Sequence, residues 1–281
     1  MSTLEKFIFP IPLLKGVVSD INQKKFLKLY DLLCKEPKHK KCLLCVKSKK
    51  TDTNIIYVGQ NNIVLEYKYQ IYKFVIPYND SINYDECEYA NQFLKYTQFT
   101  KCSEGFIIQM PLYEITLLDS MKYEPPYWDS CNIEKCIKDV GLFLMDIHNK
   151  RIIHNDIKIE NIMFYNRKWI IIDYGLSCKD DEIPLSVMQK YGTRTYRPRY
   201  NFFSNGELQW SFKRNEIHWK YIKDWYSYSV TMLMCFGTDR IRNDIKKQLL
   251  AILDSVNAIP PNYLVSVKAL KELKRLIKND M

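Results

Sequence analysis

The spacing of apolar residues changes along the chain, and this change predicts where helices and strands lie. Between residues 21 and 33 apolar side chains recur at helical spacing, so part of the first 50 residues is predicted to be helical. Short runs rich in β-branched and aromatic residues follow, and these predict strands over residues 55–58, 63–67, 71–76 and 106–110. The polar residues 59–62, which include a glycine, predict a turn between the first two strands.

Helical periodicity dominates the second half of the chain. Helices are predicted there over residues 133–149 and 223–236, with a buried strand over residues 169–172, and one further helix is predicted over residues 84–96, among the strands. A strand-rich part followed by a helix-rich part indicates an α+β fold with two lobes and a hinge near Pro111-Leu112-Tyr113. We therefore expect three regions: an N-terminal extension over residues 1–50, a small strand-rich N-lobe over 51–110 and a larger helical C-lobe over 111–281.

Composition is that of a globular protein with a basic surface. The 281 residues are 47% hydrophobic and 26% charged, and their net charge of +10 should attract acidic partners. Lysine and arginine are scattered rather than concentrated, so nucleic acid is not expected as the primary ligand. The densest basic stretch, residues 35–50, fits a solvated face, with a phosphate-binding patch as the alternative. No apolar run is long enough to span a bilayer, so we expect a soluble protein that does not bind membranes.

The nine cysteines lack the density of a disulfide framework. Their odd number and wide spread favour reduced thiols, as in an intracellular protein. Cys42 and Cys45 have the spacing of a zinc-binding pair, but no second close pair follows them. Because structural zinc is held by a full set of protein ligands, no such site is expected.

Two stretches in the second half carry the candidate chemistry. Residues 154–161 have the sequence His-Asn-Asp-Ile-Lys-Ile-Glu-Asn, and residues 170–175 have the sequence Ile-Ile-Ile-Asp-Tyr-Gly. Together they offer carboxylates, an amine and a carboxamide at fixed offsets. Phosphoryl transfer needs such groups, because the nucleophile must be oriented, the triphosphate held in line and the developing charge neutralised by metal and cations.

Four side chains in these stretches suit that reaction. Asp156 can accept a hydrogen bond from an attacking hydroxyl, and Lys158 can reach the transferred phosphate. Asn161 and Asp173 offer the hard oxygen ligands that Mg²⁺ prefers, and Gly175 allows a sharp turn after them. Asp156, Lys158 and Asn161 are therefore the candidate catalytic residues. Asn161 and Asp173 are the candidate metal ligands.

These residues resemble the catalytic loop and the metal-binding motif of the eukaryotic-type protein kinase family. The resemblance extends over about residues 54–237 and is strongest over residues 152–175. It implies the bilobal protein-kinase-like fold, ATP and Mg²⁺ as cofactors, and a protein as substrate. Lys158 is similar to the lysine of the serine/threonine branch. The resemblance thus implies a serine/threonine protein kinase that transfers the γ-phosphate of ATP to a protein hydroxyl.

Candidate ATP-binding residues lie in the predicted N-lobe as well as at Asp173. Lys73, in mid-strand, resembles the lysine that contacts the α- and β-phosphates, although an edge or snorkelling lysine is the simpler alternative. Glu86 is its expected partner, because the positions three, four and seven residues further on are apolar and form one helix face. The same positions after Glu88, the second choice, are polar. Gly59 is the one glycine that remains of the phosphate-binding loop.

Several positions depart from the kinase pattern. Asn61 and Val64 stand where the phosphate-binding loop would have further glycines, and their side chains keep the backbone from approaching phosphates closely. Asn155 replaces the arginine that pairs with a phosphate on the activation loop, which implies activity without such phosphorylation. Pro198 is not followed by the usual glutamate, so the ion pair that stabilises the large lobe is not expected.

Further motifs extend the resemblance. Gly192-Thr193 and Pro198 resemble the end of an activation segment, and Asp224-Trp225-Tyr226 resembles a helix start whose aspartate anchors the catalytic loop. Combined with His154-Asn155-Asp156 and Asp173-Tyr174-Gly175, the last motif is similar to kinases of large insect DNA viruses, the baculovirus type in particular. That similarity implies a host-cell setting, in the cytoplasm or nucleus, and basic viral or host proteins as substrates.

Two alternatives to an active serine/threonine kinase stay open at this point. The degenerate glycine loop favours a catalytically weak kinase-fold protein that acts as a scaffold or inhibitor. A small-molecule phosphotransferase would share Asp156 and Asn161, but Lys158 and the Gly192-Thr193 segment favour a peptide acceptor.

Overall fold

The chain divides into two compact units, Met1–Leu112 and Tyr113–Met281. The structure, a computed structural model, describes residues 24–25, 53–58, 62–67, 69–76, 85–94, 98–102, 105–122, 128–188, 190–198, 203–204, 207–208, 215–258 and 261–279. Gly59, Cys42 and Cys45 lie outside these residues, as does the helix predicted over residues 21–33 except for residues 24–25, which are helical.

Five antiparallel strands form the sheet of the first unit. They are β1 (Thr53–Val58), β2 (Asn62–Tyr67), β3 (Gln70–Val75), β4 (Gln98–Cys102) and β5 (Gly105–Pro111), in the spatial order β1-β2-β3-β5-β4. The four predicted strands are confirmed. The sequence did not predict β4, because its five residues, Gln-Phe-Thr-Lys-Cys, include few of the β-branched and apolar residues that mark a strand.

A small core lies between this sheet and one helix. Four successive side chains of β3 are buried, so the central strand is covered on both faces. Helix α1 (Asp85–Phe93) packs through Cys87 against Phe106 and Ile108 of β5. The predicted helix over residues 84–96 is therefore present, and it ends earlier than expected.

Six helices account for most of the described part of the second unit. They are α2 (Leu117–Ser120), α3 (Ser130–Asn149), α4 (Leu185–Met188), α5 (Glu216–Phe236), α6 (Asn243–Asn257) and α7 (Tyr263–Asn279). The two helices predicted here are confirmed as α3 and α5, but both begin earlier than expected. At the start of α3, Asp129 accepts a hydrogen bond from a backbone N–H of the first turn at 2.7 Å, which is an N-cap.

Helix α5 lies in the core of the second unit. Its Trp219, Trp225 and Tyr228 are buried, and helices α3, α6 and α7 pack against it. The hydroxyl of Tyr228 donates a hydrogen bond to the carbonyl oxygen of Ile137 in α3 at 2.8 Å. Helix α5 is therefore a fixed support for any loop that bonds to it.

Short strands also form in the described part of the second unit, and some of them bound the two loops that carry the candidate site. They are β6 (Ile115–Thr116), β7 (Ile152–Ile153), β8 (Ile162–Tyr165), β9 (Lys168–Ile171), β10 (Cys178–Lys179), β11 (Phe203–Ser204) and β12 (Glu207–Leu208). Residues 154–161, the catalytic loop, join β7 to β8, and residues 172–177 join β9 to β10. Because β7 pairs with β10 and β8 pairs with β9, the two loops begin and end at paired residues and lie side by side.

The predicted α+β class is confirmed. A strand-rich region precedes residue 112 and a helix-rich region follows it, consistent with a bilobal kinase fold. Within the described ranges, no helix has the length and apolar character that crossing a membrane requires.

Candidate active site

One buried carboxylate holds the catalytic loop to helix α5. Asp224 accepts hydrogen bonds from the backbone N–H groups of His154 (2.7 Å) and Asn155 (2.8 Å), and its Oδ2 lies 3.0 Å from Nε2 of His148. The anchor is the one expected from the sequence, but its placement at a helix start was wrong. Asp224 lies inside α5, which begins at Glu216, and an aspartate within a helix carries no local signal for the boundary.

Burial and hydrogen bonding set the charges around this anchor. Burial lowers the pKa of His148 and of His154, against the opposing effect of the Asp224 carboxylate. Burial alone would raise the pKa of Asp224, but the hydrogen bond from His148 and the positive charge of Lys223 help to keep that pKa below its ordinary value. Near neutral pH the carboxylate is therefore charged and the two imidazoles are neutral.

The ring of His154 links the two neighbouring loops. Its Nε2 lies 3.1 Å from the carbonyl oxygen of Ile172, and its Nδ1 accepts a hydrogen bond from the backbone N–H of Asp156 at 3.3 Å. The neutral tautomer with its proton on Nε2 satisfies both contacts. An edge-to-face contact with Tyr174, at 5.1 Å between ring centroids, adds packing. His154 thus fixes the backbone that carries Asp156.

The carboxylate of Asp156 contacts polar groups of three residues, Lys158, Asn161 and Thr193. Its Oδ2 lies 2.8 Å from Nζ of Lys158 and 3.1 Å from Nδ2 of Asn161. Its Oδ1 accepts hydrogen bonds from the backbone N–H and the hydroxyl of Thr193, both at 2.8 Å. Burial acts to raise the pKa of Asp156, but Lys158 and Thr193 outweigh it and hold the pKa below its ordinary value. The structure therefore brings Asp156, Lys158 and Asn161 together with an ionised carboxylate at the centre.

A glycine allows Thr193 to reach Asp156. Gly192 has a left-handed backbone (φ 86°), and a Cβ at this position would lie 2.2 Å from the carbonyl oxygen of Asn155. Any other residue would be both strained and too close to the catalytic loop. The Thr193 hydroxyl also lies 3.1 Å from Nζ of Lys158, so it contacts two candidate catalytic residues.

Asp173 follows β9 and stands next to the catalytic loop. The backbone N–H of Ile172 donates to the carbonyl oxygen of Asn161 at 2.9 Å, so the two candidate metal ligands come from hydrogen-bonded backbones. Asp173 is half-buried and has a left-handed backbone (φ 66°), which aspartate adopts more readily than most residues. Gly175 lies in a turn, as expected, but the residue with positive φ is Asp173.

The chemistry of these donors suits magnesium bound together with phosphates. Asn161 and Asp173 supply an amide oxygen and a carboxylate, and Mg²⁺ is usually held by one or two such groups plus oxygens of the substrate. Among the described residues no cluster of three or more His, Cys, Asp or Glu side chains could hold a metal ion without a substrate.

The first unit holds the other predicted pair, Lys73 and Glu86. Lys73 lies in β3, opposite Val64 of β2 and Ile108 of β5, and is only 8% exposed. Its Nζ lies 2.5 Å from Oε1 of Glu86 in α1. Glu88 is exposed, whereas the apolar residues three and four positions after Glu86 are buried. The helical periodicity thus selected the glutamate that the structure pairs with Lys73.

Comparison with known families agrees with this geometry. A family model described as a protein kinase domain matches residues 84–281, a range that contains the catalytic loop, Asp173 and Asp224. The chain belongs to the protein kinase family. A search of curated proteins finds no match. The matched range begins after β3, so it includes Glu86 but neither Lys73 nor Gly59.

In this protein kinase domain, Thr193 is the polar neighbour of Asp156 that the candidate residues did not include. The sequence contained a signal, the pair Gly192-Thr193, which we interpreted as the end of an activation segment and not as part of the site. The contact of Thr193 with Asp156 joins residues 37 positions apart in the chain, and local sequence patterns do not predict such contacts.

Proposed function

We propose that the chain is an active serine/threonine protein kinase that transfers the γ-phosphate of ATP to a protein hydroxyl. The observation that carries the proposal is the ionised carboxylate of Asp156, held between Lys158, Asn161 and Thr193. An acceptor of this kind, fixed in place and kept charged, can orient a hydroxyl for in-line attack on a phosphate.

Each further residue has a defined part in the proposed reaction. Lys158 would contact the transferred phosphate, and Asn161 and Asp173 would hold Mg²⁺, which supplies charge neutralisation on the phosphate oxygens when it is bound. Lys73 would bind the α- and β-phosphates, with its ammonium group kept in place by Glu86. Gly59 would contribute backbone to the phosphate-binding loop.

The choice of a serine or threonine acceptor rests on Lys158 and on its contact with Thr193. The hydroxyl of Thr193 lies 3.1 Å from Nζ of Lys158 and 2.8 Å from Oδ1 of Asp156. The contact of this aliphatic hydroxyl with both groups supports, by analogy, a serine or threonine acceptor. The similarity to baculovirus-type motifs further suggests basic viral or host proteins as the substrates.

A second function, that of a catalytically weak kinase-fold scaffold, is favoured by one observation. Val64, which stands where the family has a glycine, lies in β2 directly opposite Lys73. A side chain at this place restricts the approach of the backbone to phosphates. Weak nucleotide binding is the consequence that a scaffold would tolerate and an enzyme would not.

Phosphate transfer from radiolabelled Mg-ATP to a basic protein separates the two functions. We expect wild type to label the substrate on serine or threonine, and Asp173→Ala to lose about 100-fold or more of kcat. Asp254→Ala, which removes an exposed carboxylate of α6, is the matched control and should retain full activity. Equal, negligible labelling by wild type and Asp173→Ala would leave the scaffold as the function, and labelling of small alcohols in preference to protein would show a small-molecule phosphotransferase.

A further inference from the structure

Asn155 touches three separate parts of the second unit. This residue precedes Asp156, is 2% exposed and has a left-handed backbone (φ 67°), a conformation that asparagine adopts more readily than most residues. Its backbone N–H donates to Asp224 of α5. Its side-chain Nδ2 donates to the carbonyl oxygen of Leu176 at 3.0 Å and to Sγ of Cys178 at 3.3 Å.

The same residue also contacts the far end of this segment. The carbonyl oxygen of Asn155 lies so close to Gly192 that a Cβ there would be 2.2 Å away. Thr193 follows at once and bonds to Asp156. Asn155 therefore contacts residues 176–193, called the bridged segment below, at both of its ends.

A buried lysine completes the hydrogen bonding of Asn155. Lys223 of α5 is 1% exposed, and its Nζ lies 2.9 Å from Oδ1 and 3.5 Å from the backbone oxygen of Asn155. A buried ammonium group is unfavourable unless it has polar or charged partners. The amide oxygen of Asn155 is therefore part of why Lys223 is stable here, and the nearby negative charge of Asp224 also favours its ammonium form.

The charges around Lys223 favour its ammonium form. Burial lowers the pKa of Lys223 to about 8, while Asp224, Cys178 and Asp156 act in the opposite direction. Near neutral pH the group is mainly protonated, so it donates to Asn155 and cannot accept from it. Because Oδ1 of Asn155 accepts from Lys223, its Nδ2 faces Leu176 and Cys178.

We propose that Lys223 is a positioning residue which, through Asn155, holds both ends of the bridged segment against the catalytic loop. The inference rests on the proposed kinase function for its effect on rate, but not for its effect on structure. The kinase pattern has an arginine at this position, which pairs with a phosphate added to the activation loop. Here the ammonium group of Lys223 and the amide of Asn155 take the place of that pair, and both are buried. Assembly of the segment beside Asp156 then needs no covalent switch.

The first test uses hydrogen–deuterium exchange on the full chain and needs no activity. In Lys223→Met, which keeps an unbranched side chain one atom shorter and removes its charge, amides of the bridged segment should exchange faster than in wild type. Those of α6 should keep their wild-type rates. Two reporters are Thr193, whose N–H bonds to Asp156, and Asp180, whose N–H bonds to Arg151. Unchanged exchange in the bridged segment would overturn the proposal.

A second variant and a control make the exchange result decisive. Asn155→Gly removes the amide yet tolerates the left-handed backbone, and it should give the same pattern, so it decides the matter alone if Lys223→Met does not fold. Lys274→Met is the matched control: this lysine of α7 is partly buried and lies over the ring of Trp225 at 5.4 Å. It should leave the exchange of the bridged segment at wild-type rates.

The second test uses steady-state kinetics. Lys223→Met and Asn155→Gly should each lower kcat about 10- to 100-fold, because small displacements of reacting groups have effects of that size, and should leave the KM for ATP within about twofold. The double variant should be no slower than the slower single variant, since both act through one contact. Fold losses that multiply would contradict the proposal, whereas an inactive wild type with the expected exchange pattern would overturn the kinase function alone.

Discussion

The two units fix their candidate residues in different ways. In the first unit, Lys73 stands in a central strand whose position is set by backbone pairing with β2 on one side and β5 on the other. In the second unit, the catalytic loop is set by side chains of distant residues, above all by Asp224, which is about 70 positions further along the chain than the two N–H groups it binds. Backbone pairing between strands persists when most side chains are changed, whereas a loop that is held by one side chain loses its anchor when that side chain is replaced.

This difference indicates how substitutions should act in each unit. A change at Lys73 or Glu86 should alter nucleotide binding and leave the fold largely intact, because neighbouring backbone bonds still hold the strand. A change at Asp224 should weaken the fold and the site together. The side chain of Asp156 accepts from one backbone N–H, that of Thr193. A change at Asp156 should therefore lower the rate of the reaction and have little effect on stability.

The largest expected effect is on the rate of Asp156→Asn. The substitution keeps the shape of the side chain but removes the charge that accepts from a hydroxyl, so kcat should fall about 1000-fold. The free energy of unfolding should change by less than about 1 kcal/mol, because the backbone anchors of the loop are untouched. Steady-state phosphate transfer and urea unfolding measure the two quantities. Full retention of kcat would remove Asp156 from the proposed mechanism.

Asp224→Asn should give the largest loss of stability. It leaves two backbone N–H groups and the ring of His148 around an uncharged side chain in a buried site, which should lower the free energy of unfolding by about 3 kcal/mol. Tryptophan fluorescence during urea unfolding reports on the second unit, because all five tryptophans lie within residues 113–281. Asp254→Asn, an exposed control in α6, should not shift the transition. A stability equal to wild type in Asp224→Asn would contradict the contrast between the units.

In the first unit, Glu86→Gln should act on nucleotide binding. Loss of the charge that holds Lys73 should raise the KM for ATP about tenfold, equivalent to about 1.4 kcal/mol. Glu88→Gln changes the neighbouring exposed glutamate and should leave KM unaltered. A larger effect from Glu88 than from Glu86 would show that the ion pair is not the functional one.

The smallest expected effect is a pH dependence of stability confined to the second unit. Burial lowers the pKa of His148 and His154, and it lowers that of His218 to about 4, with a minor contribution from Lys274. The unfolded chain binds protons on these rings near pH 6.5, whereas the folded chain does so only at lower pH. The contribution of these histidines to the free energy of unfolding should therefore be fully present above about pH 7 and should be lost as the pH drops from 6.5 towards 4.

A substitution tests this dependence. His218→Phe keeps the ring contact with Tyr263, at 4.8 Å between centroids, and removes the titrating group. It should recover about 1 kcal/mol of the loss at pH 5.5. No histidine falls in the described ranges of the first unit, so exchange of amides in its sheet should not follow the same titration. An acid-induced loss identical in wild type and His218→Phe would assign the effect to other groups.

Local patterns predicted the elements well where periodicity was strong and failed where it was weak. The β-branched runs of the first unit and the apolar stripe of α3 were sufficient to locate strands and a helix. Strand β4 escaped prediction because pairing with β5, rather than its own composition, makes it a strand. The start of α5 was missed because its first turn has no side-chain cap hydrogen bond, and the buried residues of the helix begin only at Trp219.

The sequence by itself determined the family, the change from a strand-rich to a helix-rich region, and the identity of Asp156, Lys158, Asn161 and Asp173 as candidates, because these depend on patterns and fixed offsets along the chain. The tertiary structure alone decided that Thr193 bonds to Asp156, that Asp224 anchors the loop from within a helix, and that Lys223 contacts Asn155. Each of these contacts joins residues more than 30 positions apart, and only the packing of the folded chain brings such residues together.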